Sequence, residues 1–456
     1  MKQMLPKQKN NEGISIETFE EMTLGELSKI LSLTIKHDEA NKLLIFLAML
    51  SAYTDRSQIN ISLNAPSSTG KSFLATEIAK LFPAEDKVER SGSSPTAFFY
   101  EQGVPIKEDD KIVGRLVSLE RKILLFYEQP NPQLQEKLRA LLSHDQRDLQ
   151  YSFTNKDKGK NKADKVILRG FPATIFCSAG LRLDEQETTR AILLSPEITD
   201  QKILAGMLSQ IHRTANADDY KTWIDSQPER VALMKRIVAI RDQHVNEIII
   251  PNPKQINERF IAMFPVPKPR HMRDISHLGE LIKAIALLNV WQRRQSDDTI
   301  LANNDDVDMA FKLWSEFSES QEYNLPPVVL LFYKEIIVPA YIAKFDRLNV
   351  LDQKAMKQNE IGLTSQELNS YHIFATDKPM HGEQVRKQIL PQLESSGLIA
   401  QEKPQEAADK RTRHIFPKWF PDGNDPKHQN NVGTGGGVDT KDRDATLQSV
   451  IDLFTT

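Results

Sequence analysis

The chain has 456 residues, enough for two or three domains that each bury a core of their own. Its net charge of -3 gives no global attraction to nucleic acid, so any such binding has to come from local basic patches. A single cysteine excludes a disulfide framework and a cysteine-based zinc finger and suits a reducing, cytoplasmic interior; the longest apolar run, Leu43 to Leu50, is too short for a bilayer.

In chain order, residues 1–37 read as an N-terminal segment, polar to about residue 22 and without the apolar stretch of a signal peptide. "TLGE", Thr23 to Glu26, reads as a capping box that opens a first helix, and a second helix is expected over Asp38 to Tyr53. Then comes "ISLNAPSSTGKSFLATEIAKLF". Ile59, Ile61 and Leu63 alternate as in a strand, whereas Phe73, Leu74, Ile78, Leu81 and Phe82 follow helical spacing. Between them Ala65, Pro66, Ser67, Ser68, Thr69, Gly70, Lys71 and Ser72 match the phosphate loop G-x-x-x-x-G-K-[ST], with Ala65 in place of the first glycine. Such a loop points backbone N–H groups at an anion above a helix N-terminus, with Lys71 for the outer phosphates and Ser72 for Mg2+. The plain alternative is a Ser/Thr helix cap.

A second strand is expected in "KILLFYEQ", ending at Glu128, a carboxylate able to polarise an attacking water and to sit beside the metal. Tyr127 stands where the usual pattern has a metal-holding Asp, and a buried strand that merely surfaces at Glu128 is the alternative. Short strands Leu149 to Thr154 and Lys165 to Leu168 flank a turn-rich tip carrying Lys156, Lys158, Lys160 and Lys162, suited to gripping DNA phosphates or simply to staying solvated. The strand Ala173 to Cys177 ends in Ser178, within reach of a γ-phosphate or the water. Arg182 and Arg190 flank an acidic turn, as finger candidates or as partners of Glu185 and Glu187; Arg270 and Arg273 precede a long helix and could fold back on a nucleotide.

Strand and helix alternate to about residue 200, the sign of a layered α/β domain with a mainly parallel sheet, and strands then almost vanish to about 350. From Thr364 the order is helix, turn, a second helix from about Gly382 to Ser396, Gly397, and a hairpin of "LIAQEK" and "RTRHIF". That is the winged-helix pattern, with Arg386 and Lys387 near a DNA groove and Lys410, Arg411 and Arg413 on the wing; many winged helices bind proteins instead. The expected division is 1–37, an ATPase core over 38–200, a helical lid over 201–350, a winged helix over 351–420 and a glycine-rich tail over 421–456.

Taken together, "APSSTGKS", "ILLFYE", a basic hairpin before "ATIFCSAG", Arg190, an Arg-led helical lid and a winged helix resemble the AAA+ ATPases of the minichromosome-maintenance and superfamily 3 clades, in particular the helicase-like ATPases of plasmids and phages. The resemblance covers roughly residues 38–420. It implies a P-loop parallel sheet, a hexameric ring, ATP and Mg2+, and a hairpin that contacts DNA in the central channel. By that likeness Lys71 holds the β/γ-phosphates, Ser72 the metal, Glu128 the water, Ser178 the sensor position and Arg190 the finger position. The expected function is an ATP-driven DNA motor, the replicative helicase of a mobile element, working beside a primase or a loader and without a membrane. A nucleotide-switched DNA-binding initiator is the second reading, favoured by Tyr127, and a protein remodeller the third.

Overall fold

The structure, a computed structural model, describes residues 19–91, 103–108, 111–157, 160–178, 180, 190–264, 266–296, 298–403 and 413–421. Two compact units divide the chain, one of residues 1–335 with 380–397 and the other of 336–379 with 398–456.

The larger unit opens with α1 (Leu24–Leu31). The Thr23 hydroxyl accepts from Glu26 N at 3.2 Å while the Glu26 carboxylate accepts from Thr23 N at 2.8 Å, the capping box expected from the sequence. In α2 (Glu39–Ser51) every residue from Lys42 onward is buried. A helix that is apolar all round has no solvent face to offer and must lie inside, here against α1 and the helix His271–Leu288. Lys42 survives there because its ammonium donates to Ser32 Oγ at 2.6 Å and Glu39 Oε1 at 2.7 Å.

The chain continues through β1 (Ile61–Asn64), α3 (Lys71–Ala79), β2 (Lys87–Arg90), β3 (Val104–Glu108), β4 (Lys111–Ser118), β5 (Ile123–Phe126), α4 (Pro132–Leu142), β6 (Asp148–Asp157), β7 (Lys160–Arg169), β8 (Ala173–Ser178) and β9 (Ile192–Leu194). Five of these strands form one sheet in the order β2-β5-β8-β1-β9, and every neighbouring pair is parallel. β1, β5 and β9 are buried along their whole length, as a parallel sheet covered by helices on both faces requires. The α/β architecture with a parallel sheet is therefore as expected. Because all five strands run one way, the residues after β1, β5 and β8 leave the sheet at a single edge; Asn64 pairs with Ser178, and Phe126 with Phe176.

A second sheet has the order β3-β4-β7-β6. The β6/β7 pairing runs unbroken from Asp148↔Arg169 to Asp157↔Lys160. The hairpin is thus longer than the sequence reading, and Lys156, Lys160 and Lys162 lie on paired strands rather than in a loose tip; Lys158 lies outside the described residues. The polar segment shows no apolar alternation, but each further rung of an antiparallel ladder satisfies backbone groups without needing a buried side chain. At its base, Leu149, Val166 and Leu168 pack with Leu134, Leu138 and Leu141 of α4, and Arg169 forks onto Asp148 at 2.9 and 2.8 Å.

Between residues 200 and 350 helices dominate, but a small sheet of β10 (Glu247–Ile249), β11 (Arg294–Ser296) and β12 (Thr299–Leu301) interrupts them. Three-residue strands are too short to show a period in the sequence. In the same unit the run 380–397 holds helical turns Gly382–Gln384 and Leu390–Ser395 joined by a π-turn over Val385–Ile389. Pro391 lacks the N–H that an α-helix needs there, and a wider turn ahead of it absorbs the loss. Gly397 then turns the chain at φ +78.

The smaller unit contains the helices Val338–Arg347, Val350–Lys357 and Ser365–Thr376 and the antiparallel pair β13 (Ile399–Glu402) and β14 (His414–Pro417). Leu363 bridges to Ile415 beside it, and Thr364 with Glu367 forms a second capping box. Lys410 and Arg411 lie outside the described residues, while Arg413 is exposed just before β14. Among the described residues no helix is long and apolar enough to cross a membrane.

Candidate nucleotide-binding site

The loop after β1 departs from ordinary backbone at two residues, Ser68 at φ +66 and Gly70 at φ +93. A Cβ on Gly70 would meet nothing within 4 Å, so glycine is required there by conformation and not by space. Ala65 is fully buried and is not among the positive-φ residues. Its N–H reaches toward Ser178 O at 3.4 Å, continuing the β1–β8 ladder. An alanine therefore fits where the pattern writes glycine. Gly70 caps α3 with no side-chain hydrogen bond, which excludes the Ser/Thr cap at this helix and leaves its first-turn N–H groups facing the loop.

Lys71 folds back into the loop: its ammonium donates to Ala65 O at 2.7 Å and to Pro66 O at 2.6 Å. Burial holds it below the ordinary lysine value, against a smaller opposing effect of Cys177. Cys177, at the end of β8, is pushed up to about 12 by burial, with Lys71 and a hydrogen bond from Ser72 acting the other way. It is a packed neutral thiol beside the loop. Asn64, the last residue of β1, is fully buried; its Oδ1 accepts from Ser62 Oγ at 2.8 Å, and its Nδ2 has no hydrogen-bond partner among the described residues.

Tyr127 continues β5 with its N–H on Arg90 O at 2.9 Å. Burial is the main effect on its phenol and pushes it up, with Thr76 of α3 acting to lower it and Glu89 of β2 to raise it. The position that a metal-holding carboxylate would take is thus a half-buried aromatic ring. Glu128 is exposed at the sheet edge. Ser178 donates to Gln129 Oε1 at 2.9 Å and to Gly180 O at 3.1 Å. Gln129 escaped the sequence reading because a glutamine beyond a strand end carries no pattern; here it joins the Glu128 segment to Ser178. Ser195, another residue without a signal, donates to Asn64 O at 2.6 Å and steadies the base of the loop.

The arginine candidates separate. Arg190 is half-buried with its Nε on Ser143 Oγ at 2.6 Å, at the end of α4. Arg270 is a structural residue: its guanidinium binds Asp274 at 3.1 Å, Gln321 at 2.9 Å and also Asn324, and Gln321 in turn holds the backbone of Leu193 in β9. Arg273 lies exposed in the first turn of the helix His271–Leu288, inside it rather than before it. Arg182 lies outside the described residues. Arg386 and Lys387 are exposed, and Lys387 pairs with Glu383 one turn earlier.

A cleft of about 750 Å3 lies against the phosphate loop, lined by Pro66 and Ser67 and by residues of the run 380–397 including His381, Glu383 and Lys387. Its size is within the range of small-molecule sites, roughly 300–1,000 Å3. For Mg2+ the donors at this edge are the Ser72 hydroxyl, on the exposed first turn of α3, and the Glu128 carboxylate. So small a protein set suits an ion that arrives on a polyphosphate. No protein-family model and no curated protein matches the chain.

Proposed function

We propose that the protein binds ATP at the edge formed by residues 65–72, Glu128 and Ser178 and uses its hydrolysis to move along DNA. The observation that carries the reading is the common carboxyl edge of β1, β8 and β5, which collects the uncapped α3 N-terminus, Lys71, the Ser178–Gln129 pair and Glu128 in one place.

On binding, Lys71 would exchange the carbonyls of Ala65 and Pro66 for the outer phosphates, while the N–H groups of Gly70 and the first turn of α3 hold the inner ones. Mg2+ would be held by Ser72 and would neutralise developing charge. Glu128 would orient a water for in-line attack, and the Ser178–Gln129 hydrogen bond joins that strand end to the end of β8. The β6/β7 hairpin is joined to this edge through α4, which follows Glu128 in the chain and packs on the hairpin base. Any shift at Glu128 would therefore be carried to the lysine-bearing strands as a rigid-body movement. To act as a finger on a neighbouring subunit in a ring, Arg190 would first have to leave Ser143.

The second reading, a nucleotide-switched DNA-binding initiator with little turnover, is favoured by one observation: the half-buried Tyr127 phenol, pushed up by burial, supplies no metal-holding charge. Turnover with and without single-stranded DNA separates the two. In a motor, DNA raises turnover, Lys71→Ala and Glu128→Gln abolish it, and Ala at Lys158, Lys160 and Lys162 removes the response. Nucleotide binding with turnover indifferent to DNA supports the switch instead.

A further inference from the structure

The cleft against the phosphate loop has a second wall, supplied by a segment remote in sequence. Pro66 and Ser67 line one side; His381, Gly382, Glu383, Gln384 and Lys387 line the other. Within that wall Lys387 is the one lysine, exposed and bound by an ion pair to Glu383. Exposed i,i+4 pairs of this kind are weak and exchange easily for a better anion. A polyphosphate held on the loop carries several negative charges into a cleft where Lys387 and Glu383 are neighbours of opposite sign.

Resting on the nucleotide-binding reading above, we infer that Lys387 is a second phosphate-binding residue, which leaves Glu383 when a nucleoside triphosphate binds and closes the segment 380–397 over the outer phosphates. This reassigns Lys387 from DNA contact to the nucleotide. It also assigns Glu383 an opposing role: it holds Lys387 when the loop is free and repels the phosphates when they arrive. The two residues therefore have effects of opposite sign on one equilibrium, which a merely structural pair on a helix surface would not have.

The test is the affinity of the full chain for the Mg2+ complex of adenosine 5′-(β,γ-imido)triphosphate and for AMP, measured by calorimetry in wild type, Lys387→Ala, Glu383→Gln and Lys71→Ala. Lys387→Ala is expected to weaken the triphosphate analogue about fivefold and Glu383→Gln to tighten it about twofold, the scale of single partly exposed charge contacts. AMP, which lacks the outer phosphates, is expected to respond to neither. Loss of binding in Lys71→Ala alone, with Lys387→Ala and Glu383→Gln both equal to wild type, overturns the inference and leaves the nucleotide site standing. Wild-type affinity in Lys71→Ala, or no binding by wild type, overturns both.

Discussion

Replacing Lys71 with Met separates folding from binding at the phosphate loop. In the free protein the ammonium makes two short hydrogen bonds, to Ala65 O and Pro66 O, and is mostly buried. Each charge-assisted bond contributes about 1.5–3 kcal/mol before its desolvation is counted, and Met removes both the bonds and the buried charge. These terms oppose each other, so the net change in stability is expected to stay within about 1 kcal/mol. Binding is a different matter, because the methionine cannot reach phosphates with a charge. At a nucleotide concentration of about 100 times Kd, wild type gains about 2.7 kcal/mol, a rise in melting temperature of roughly 3–4 °C. A roughly hundredfold weaker site keeps about 0.4 kcal/mol at the same concentration, a rise below about 1 °C. Thermal denaturation with and without Mg2+ and the imido triphosphate reads both numbers. The reasoning is refuted if Lys71→Met keeps the ligand-induced shift, or if its unliganded melting temperature drops by more than about 6 °C, since the lysine would then be a folding residue.

Three further outcomes are expected. Gly70→Ala puts a Cβ into open space but at φ +93, so it should cost about 1 kcal/mol by denaturant titration and weaken triphosphate binding, whereas Ala65→Gly, at a residue of ordinary φ, should not improve binding. Asp306→Asn breaks a fully buried fork from Arg293 at 2.8 and 2.6 Å, and with Glu21 still holding that guanidinium at 2.8 Å the loss should be about 3 kcal/mol; a loss below about 1 kcal/mol would mean that the pair is replaceable. Burial pushes Glu367 up, but hydrogen bonds from Lys344 and Thr364 outweigh it and hold the carboxyl below its ordinary value of 4.5. Its contribution is therefore fully present above that value and lost as pH falls through the lower folded value. The stability gap between wild type and Glu367→Gln should accordingly be constant at neutral pH and close below about pH 4, and a gap that widens on acidification would reverse the assignment.

Local chemistry was legible wherever a residue's role depends on its neighbours in sequence. Thr23 with Glu26 and Thr364 with Glu367 are capping boxes because three residues of helix bring their groups together. The second helix was legible over Asp38 to Tyr53, and Gly70, Lys71 and Ser72 announced a loop whose geometry is set by the strand before and the helix after. The alternation of strand and helix up to residue 200 was enough to expect a parallel sheet.

What needed the tertiary structure was every relation between distant segments. Strand order decided that β8 lies between β1 and β5, which brings Gln129 to Ser178; neither residue has a pattern that would pair them. Ala65 was a defect in a motif until its backbone proved to have an ordinary φ, since a motif records residue types and not conformations. Arg270 and Arg273 looked equivalent in sequence, and only packing separated a buried guanidinium bound to Asp274 and Gln321 from an exposed one. The same holds for Lys387, whose place in one cleft with Pro66 follows from the path of more than three hundred intervening residues. Short-range hydrogen bonding and hydrophobic period are written in consecutive residues, whereas the meeting of remote side chains is set by how strands and helices pack, and no single segment encodes that.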